Sequence, residues 1–345
     1  MAQHGGADGR RAYIGSFTAA GGPGLVTARV APDGGALTLV AAVKDVPDPS
    51  YLALAPGGGT LYAVSETAEG AVAAYRLRGE RPELAGPPVP VDGSGPTHLS
   101  LYDGHVLTAN YGSGSVTAVP VRPDGTLAAK PSGQLQHTGS GPHDRRQRGP
   151  HVHQVLPDPG GRWAVSVDLG TDSVRVCALD QGTPVVYREF ALRPGSGPRH
   201  LAFHPDGEHA YVVNELTPTV TVCRWDPAEG ALKPLAEVPL LPGAPAGDAY
   251  PSGIVVAPDG RFVWTATRGE DVLSVLAVEG DGLRLVGTVP CGGHWPRALA
   301  EHAGFLYAAN ERSGDVSWFA LDERTGLPRY DGSVPVTAAS CVVFG

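Results

Sequence analysis

PRHLAFHPDGEHAYVVNE, residues 198–215, sets two short apolar runs on either side of a Pro-Asp-Gly turn. Alternation with period two marks a half-buried strand, and a tight PDG turn joins two such strands into a hairpin. The phrase recurs along the chain. PSYLALAPGGGTLYAVSE begins at Pro49 and PSGIVVAPDGRFVWTATR at Pro251, almost without gaps. PHVHQVLPDPGGRWAVSVDL, from Pro150, aligns with two extra residues in its turn. PTHLSLYDGHVLTANY from Pro96 and PRALAEHAGFLYAANE from Pro296 align with two fewer. A third strand follows each hairpin, as in AVAAYRL, SVRVCAL and TVTVCRW. A weaker fourth run, such as TPVVYREF or GLRLVGTV, completes the unit.

These are six units of roughly fifty residues, a period that signals a repeat architecture. A seventh is split between the termini. RRAYIGSF, GLVTARV and ALTLVAAV supply its second to fourth strands, and the C-terminal ASCVVF supplies the first. A last strand that completes the first blade closes a ring and removes two sheet edges. The sequence therefore predicts an all-β chain, a seven-bladed β-propeller with its N-terminal blade closed by the C-terminal strand. The expected layout is a flexible N-terminus over 1–10 and a single domain over 11–345. Its blades fall at about 11–48 plus 338–345, 49–94, 95–149, 150–197, 198–250, 251–295 and 296–337, and no WD dipeptide recurs at the repeat period.

Composition agrees with many short strands. Gly (48) and Pro (33) punctuate the 345 residues rather than forming a linker, and 42% hydrophobic residues provide a core. A formal charge of −9 argues against nucleic acid as a partner. Met1 to Gly9 show no apolar core or cleavage pattern, and no run of eighteen apolar residues occurs. A cytoplasmic monomer or weak homodimer with no membrane partner is expected. Cys177, Cys223, Cys291 and Cys341 are far apart, which suggests reduced, buried thiols.

In each unit the first strand starts, and the second ends, on the same face beside the central channel. One column there reads Ser50, Thr97, His151, Arg199, Ser252, Arg297 and Ser340; the other reads Phe17, Glu66, Tyr111, Leu169, Glu215, Arg268 and Glu311. The residues preceding the second column (Ser16, Ser65, Asn110, Asp168, Asn214, Thr267, Asn310) are uniformly small and polar, as turn hydrogen bonding requires. The columns bring His151, Arg199, Glu215 and Arg268 together from blades four to six, an acid/base and anion-binding set. Taken singly, each is as well explained as a structural ion pair or a solvated charge.

An insertion before blade four, GPHDRRQRGPHVH, carries the densest basic run, Arg145, Arg146 and Arg148. Arg146 and Gln147 are candidates for gripping a phosphate or carboxylate, Arg297 is a further candidate for substrate binding, and His153 is a binding or packing residue one pleat below His151. His98 and His200 alternate to the other side, where core or surface roles are expected. There is no phosphate loop, GxSxG elbow or HExxH. Asp168 and Asp172 in DLGTD support calcium only weakly. No metal and no organic cofactor are expected.

The runs RQ…PHVH (146–153), DLGTDSV (168–174), GPRHLAFHPDG (197–207), YVVNEL (211–216) and TRGEDVLSV (267–275) resemble the cytoplasmic seven-bladed propeller lactonases. These are the propeller-type 6-phosphogluconolactonases and their relative, the carboxymuconate lactonizing enzyme. The resemblance spans Tyr13 to Phe344, with departures at Thr267, Glu270 and Ala298. It implies hydrolysis of a sugar-type lactone, foremost 6-phosphogluconolactone, with a site histidine at His151, arginines at Arg199 and Arg268 and a glutamate at Glu215. On that reading His151 or Glu215 activates water while the arginines hold the anion. Two alternatives stand beside it: a cycloisomerase acting on a muconate-like carboxylate, and a non-catalytic interaction scaffold.

Overall fold

A computed structural model describes residues 10–345 of the chain; of the N-terminal tail expected over 1–10, all but Arg10 lies outside the described residues. The strands form seven antiparallel sheets in ring order. Blade one runs Ala339–Phe344, Arg11–Ser16, Leu25–Val30, Leu37–Val43, so the C-terminal strand pairs with the N-terminal one as expected. Blade two has a divided outer edge. Its third strand, Ala71–Arg76, pairs with both Glu83–Leu84 and Val89–Pro90. Pro87 and Pro88 lie between those two pieces and cannot donate to a ladder.

The core lies between blades rather than inside them. Val165, Val167, Val174 and Val176 of blade four pack on Leu201, Val212, Cys223 and Trp225 of blade five. Trp318 and Tyr307 of blade seven pack on Ile14, Val26 and Ala28 of blade one. Trp225 is 2% exposed, and truncating such a buried ring to alanine costs about 3–5 kcal/mol. All four cysteines are free and buried, and burial pushes the Cys177 thiol up to about 11 and Cys223 to about 12.

The feature that positions the channel side chains is a β-bulge in the innermost strand. In blade five Pro198 pairs with Asn214 and His200 with Val213, leaving Arg199 outside the ladder. Thr97, His153, Arg297 and Ser340 are skipped in the same way. In blade six the ladder steps from Pro251 to Ile254, past Ser252. A bulge re-aims side chains next to it, and two expectations change in consequence.

First, the inner column shifts in blade four. Val152 pairs with Asp168 as Pro198 does with Asn214, so His153, not His151, is the counterpart of Arg199. No extra turn residues exist there: Asp158 N–H reaches Trp163 O over the same five residues as His204 to His209. His151 stands one step nearer the mouth, level with Gly197, and its carbonyl accepts the Leu169 N–H as Gly197 accepts that of Glu215. Second, His98 and His200 do not point away from the channel. The rings of His98 (blade three) and His200 (blade five) meet with centroids 5.5 Å apart, which only the channel permits; His153 is 5.1 Å from His200 and Tyr51 4.0 Å from His98.

Candidate active site

Glu215 directly follows the second strand of blade five (His209–Asn214), and its side chain is buried. Three guanidinium groups surround it. Arg268 of blade six lies 2.8 Å from Oε2, Arg199 of blade five 3.0 Å from the same atom, and Arg146 of the insertion 2.5 Å from Oε1. Burial alone would raise the carboxyl pKa, but Arg268, Arg199 and Arg146 together outweigh it and hold Glu215 at about 2. Glu215 is thus an ionised acceptor locked by its neighbours. A carboxylate so placed orients the arginines and is a poor proton acceptor, which removes it from the candidate bases.

Arg199 is 2% exposed; its Nη1 donates to the Ser252 carbonyl at 2.6 Å. Burial and then the Arg268 charge lower its pKa, yet a guanidinium remains charged at neutral pH. Buried to this degree, its charge can reach the mouth as a field but its atoms do not line the surface. Arg268 donates Nε to Tyr250 O at 3.1 Å and retains a thin exposed edge. Arg146 is the accessible member, its side chain 33% exposed, and its Nη2 also donates to the Tyr111 hydroxyl at 3.2 Å.

His151 stands half-buried beside this group. Its backbone N–H donates to Asp168 Oδ1 at 2.8 Å, and its ring lies on that of Tyr111 with centroids 4.5 Å apart. Nδ1 is 2.9 Å from the Tyr111 carbonyl oxygen. A carbonyl accepts only, so Nδ1 carries a proton, and in the neutral ring it is Nε2 that presents the lone pair. Asp168 is itself fixed: Oδ2 receives the buried His137 Nδ1 at 2.7 Å, and Oδ1 also takes the Gly170 N–H. The turn role read for its column holds here, as it does for Asn110 and Asn214, which donate across their turns to Ser115 and Thr219. Asp172 likewise accepts the Gly195 and Gly197 N–H groups, so the DLGTD aspartates serve loops.

The far side of the mouth has the opposite sign. Arg297 of blade seven sits between Glu66 at 3.2 Å and Glu311 at 3.4 Å, over the ring of Phe17. One cation against two carboxylates leaves that side negative, whereas three cations against Glu215 leave the blade four-to-six side with two positive charges in excess. An anionic group is drawn to the second side.

Over residues 11–344 the chain matches the family described as lactonase, 7-bladed β-propeller. The chain belongs to that family. It is 34% identical over 341 residues to the 6-phosphogluconolactonase of Bacillus subtilis, covering 96% of this chain and 97% of that one. It is 29% identical to the 6-phosphogluconolactonase of Serratia proteamaculans over 86% of this chain and 89% of the relative. The periplasmic gluconolactonase of Pseudomonas aeruginosa superposes with a TM-score of 0.89 at 30% identity, covering 97% of this chain and 98% of that structure.

In this lactonase-family propeller two expected contacts are displaced. Gln147 is fully buried, accepts the His143 N–H and donates to the Leu169 carbonyl at 2.8 Å, so it ties the insertion down rather than facing a ligand. His153 lies beneath the mouth; burial and the Arg199, Arg297 and Arg268 charges push its pKa well down and keep it neutral. Residues not singled out in the sequence complete the lip. Trp295 takes a left-handed backbone (φ 66°) and carries the Arg312 guanidinium 3.3 Å from its ring centroid, with Arg268 5.6 Å away and Tyr250 edge-on. Its signal was readable. The same column holds Gly95 and Gly197, and a tryptophan where the turn calls for glycine is an exception that the fold does not ask for.

Among the described residues no helix is long and apolar enough to cross a membrane.

Proposed function

We propose that this protein hydrolyses 6-phosphogluconolactone to 6-phosphogluconate. The observation that carries the reading is the His151 imidazole, its tautomer fixed by the Tyr111 carbonyl and its ring stacked on Tyr111, whose hydroxyl binds Arg146 of an arginine cluster of net positive charge. The names of the Bacillus and Serratia relatives support the substrate.

Nε2 takes a proton from water as its oxygen adds to the lactone carbonyl. The carbonyl π electrons become an oxyanion in the field of Arg268 and Arg199. Collapse breaks the bond to the ring oxygen, and His151 returns the proton to that departing alkoxide, leaving a free acid. Arg146 grips the phosphate, and Glu215 holds all three guanidiniums in place. Water is the only co-reactant.

A cytoplasmic monomer or weak homodimer is part of the same reading. Four buried thiols that form no disulfide suit a reducing compartment. The apolar run Val185 to Tyr187 on the outer strand of blade four, 39–48% exposed, would serve a weak self-contact.

The test is acid release from freshly generated 6-phosphogluconolactone, with wild type and His151→Gln side by side. A rate above background that collapses in the variant supports the assignment. Background rates from wild type sink it, and turnover of an unsaturated dicarboxylate would then select the cycloisomerase reading.

A further inference from the structure

At the end of blade five opposite the mouth, the turn between Pro198–Phe203 and His209–Asn214 reads HPDGEH. His204 Nδ1 lies 3.0 Å from Asp206 Oδ2, and His209 Nδ1 lies 2.7 Å from the same oxygen. Each imidazole is held from behind by blade six. His204 Nε2 meets the Gly260 carbonyl at 2.9 Å, and His209 Nε2 meets Asp281 Oδ1 at 3.2 Å.

The Gly260 carbonyl settles the His204 tautomer. It only accepts, so His204 Nε2 donates to it, whereas His209 stands between two carboxylates, its Nδ1 at 2.7 Å from Asp206 and its Nε2 at 3.2 Å from Asp281. Nδ1 of His204 is further marked as an acceptor by the Asp206 backbone N–H pointing at it from 3.2 Å. Two imidazole Nδ1 atoms converge on one carboxylate oxygen. A single proton on one ring relieves only one of the two contacts, whereas a cation seated among them satisfies all three.

The turn does not need these side chains. Blade six makes the same turn with Ala257 and Phe262 in the two positions, with matching bonds from Ala257 N to Phe262 O and from Gly260 N to Ala257 O. The histidines are additions to a turn that closes without them.

We propose that His204, Asp206 and His209 form a Zn²⁺ site at the seam of blades five and six. Two nitrogens and one carboxylate oxygen suit zinc, with water completing the tetrahedron, and such donors stand about 3.3 Å apart around it, so the observed group opens only slightly. Hard Mg²⁺ and Ca²⁺ prefer all-oxygen sets. Gly260 and Asp281 are the outer acceptors that orient metal-bound imidazoles. Asp206, Asp281 and Glu208 exceed the single Arg224 among them, a local charge that favours a dication. Asp206 is exposed, so the ion has a route in. This departs from the expectation of no metal, lies away from the channel and needs no part of the lactonase reading. Its effect is to clamp two blades.

The full chain, stripped with chelator, would be titrated with Zn²⁺ by calorimetry, and with Co²⁺ by its visible absorption. Expected are one saturable site, a rise in melting temperature that Mg²⁺ does not produce, and loss of both signals in His209→Phe, the blade six counterpart, with lactone hydrolysis unchanged. Asp281→Asn should weaken binding about 10- to 100-fold. Should His209→Phe fold poorly, Asp206→Asn gives the same comparison. No saturable Zn²⁺ binding, or binding by His209→Phe and Asp206→Asn as tight as wild type, overturns the site.

Discussion

His151 lies flat against Tyr111, their planes 21° apart, while its Nδ1 bonds the carbonyl of that same tyrosine. One residue thus fixes the ring's plane and its tautomer. Replacing His151 with Gln should lower kcat by about 10²–10⁴-fold, the range for one general base. Tyr111→Ala keeps the carbonyl and loses the stack, so kcat should fall less. Tyr111→Phe removes only the hydroxyl bonded to Arg146 and should act mainly on KM. Steady-state kinetics of the three variants tests the order.

Glu215 holds three guanidiniums, and removing it leaves them facing one another. Glu215→Gln should cost about 3–5 kcal/mol, as loss of one partner from a buried ion pair does. The double variant Glu215→Gln/Arg199→Met should lose less than the two singles added together, since the second change removes part of the repulsion. Urea unfolding of the set measures this. Additive losses would mean that the cluster is not coupled.

Acid should destabilise the protein in two windows. His98, lowered to about 3, and His153 and His200, both pushed well down, are neutral when folded, chiefly through burial and secondly through the Arg199 charge. The unfolded chain protonates them below about 6.5, so stability falls from there downward, by up to about 1.4 kcal/mol per pH unit for each group. Glu215 works lower. Its folded value of about 2 lies under its ordinary 4.5, so its contribution is full above 4.5 and lost as pH falls toward 2. His200→Phe should flatten the first window only, and Glu215→Gln the second, in urea midpoints taken against pH.

Trp295 combines a left-handed backbone with a ring stacked on Arg312. Trp295→Gly and Trp295→Ala lose the ring equally and should raise KM for the phosphorylated lactone to a similar extent. Only glycine relieves the backbone, so the Gly variant should be more stable than the Ala variant by about 1 kcal/mol. Equal stability would show that φ at this position carries no strain.

The ring of seven units was legible because each hairpin repeats its apolar alternation and turn, and ASCVVF matches a missing first strand. The convergence of Arg199, Glu215 and Arg268 was legible for the same reason. The register of PHVH was not. Pro150 imitates the proline that opens the other units, and only backbone pairing shows Val152 in that place. The direction of His98 and His200 was hidden because strict alternation assumes an unbroken ladder, and nothing in their side chains announces a bulge. Gln147 looked like a ligand group among arginines; its burial depends on how the insertion folds back over Leu169, which no local pattern encodes.

The bulged residues of the inner strands contribute nothing to strand pairing, and this separates two inheritances in one chain. Thr97, His153, Arg199, Ser252, Arg297 and Ser340 ring the channel without a share in the ladder. Exchange at these positions changes what the tunnel admits while the sheets keep their registration. A library randomised at Thr97, Ser252 and Ser340, whose side chains are small, is the economical place to redirect such a scaffold toward a different guest.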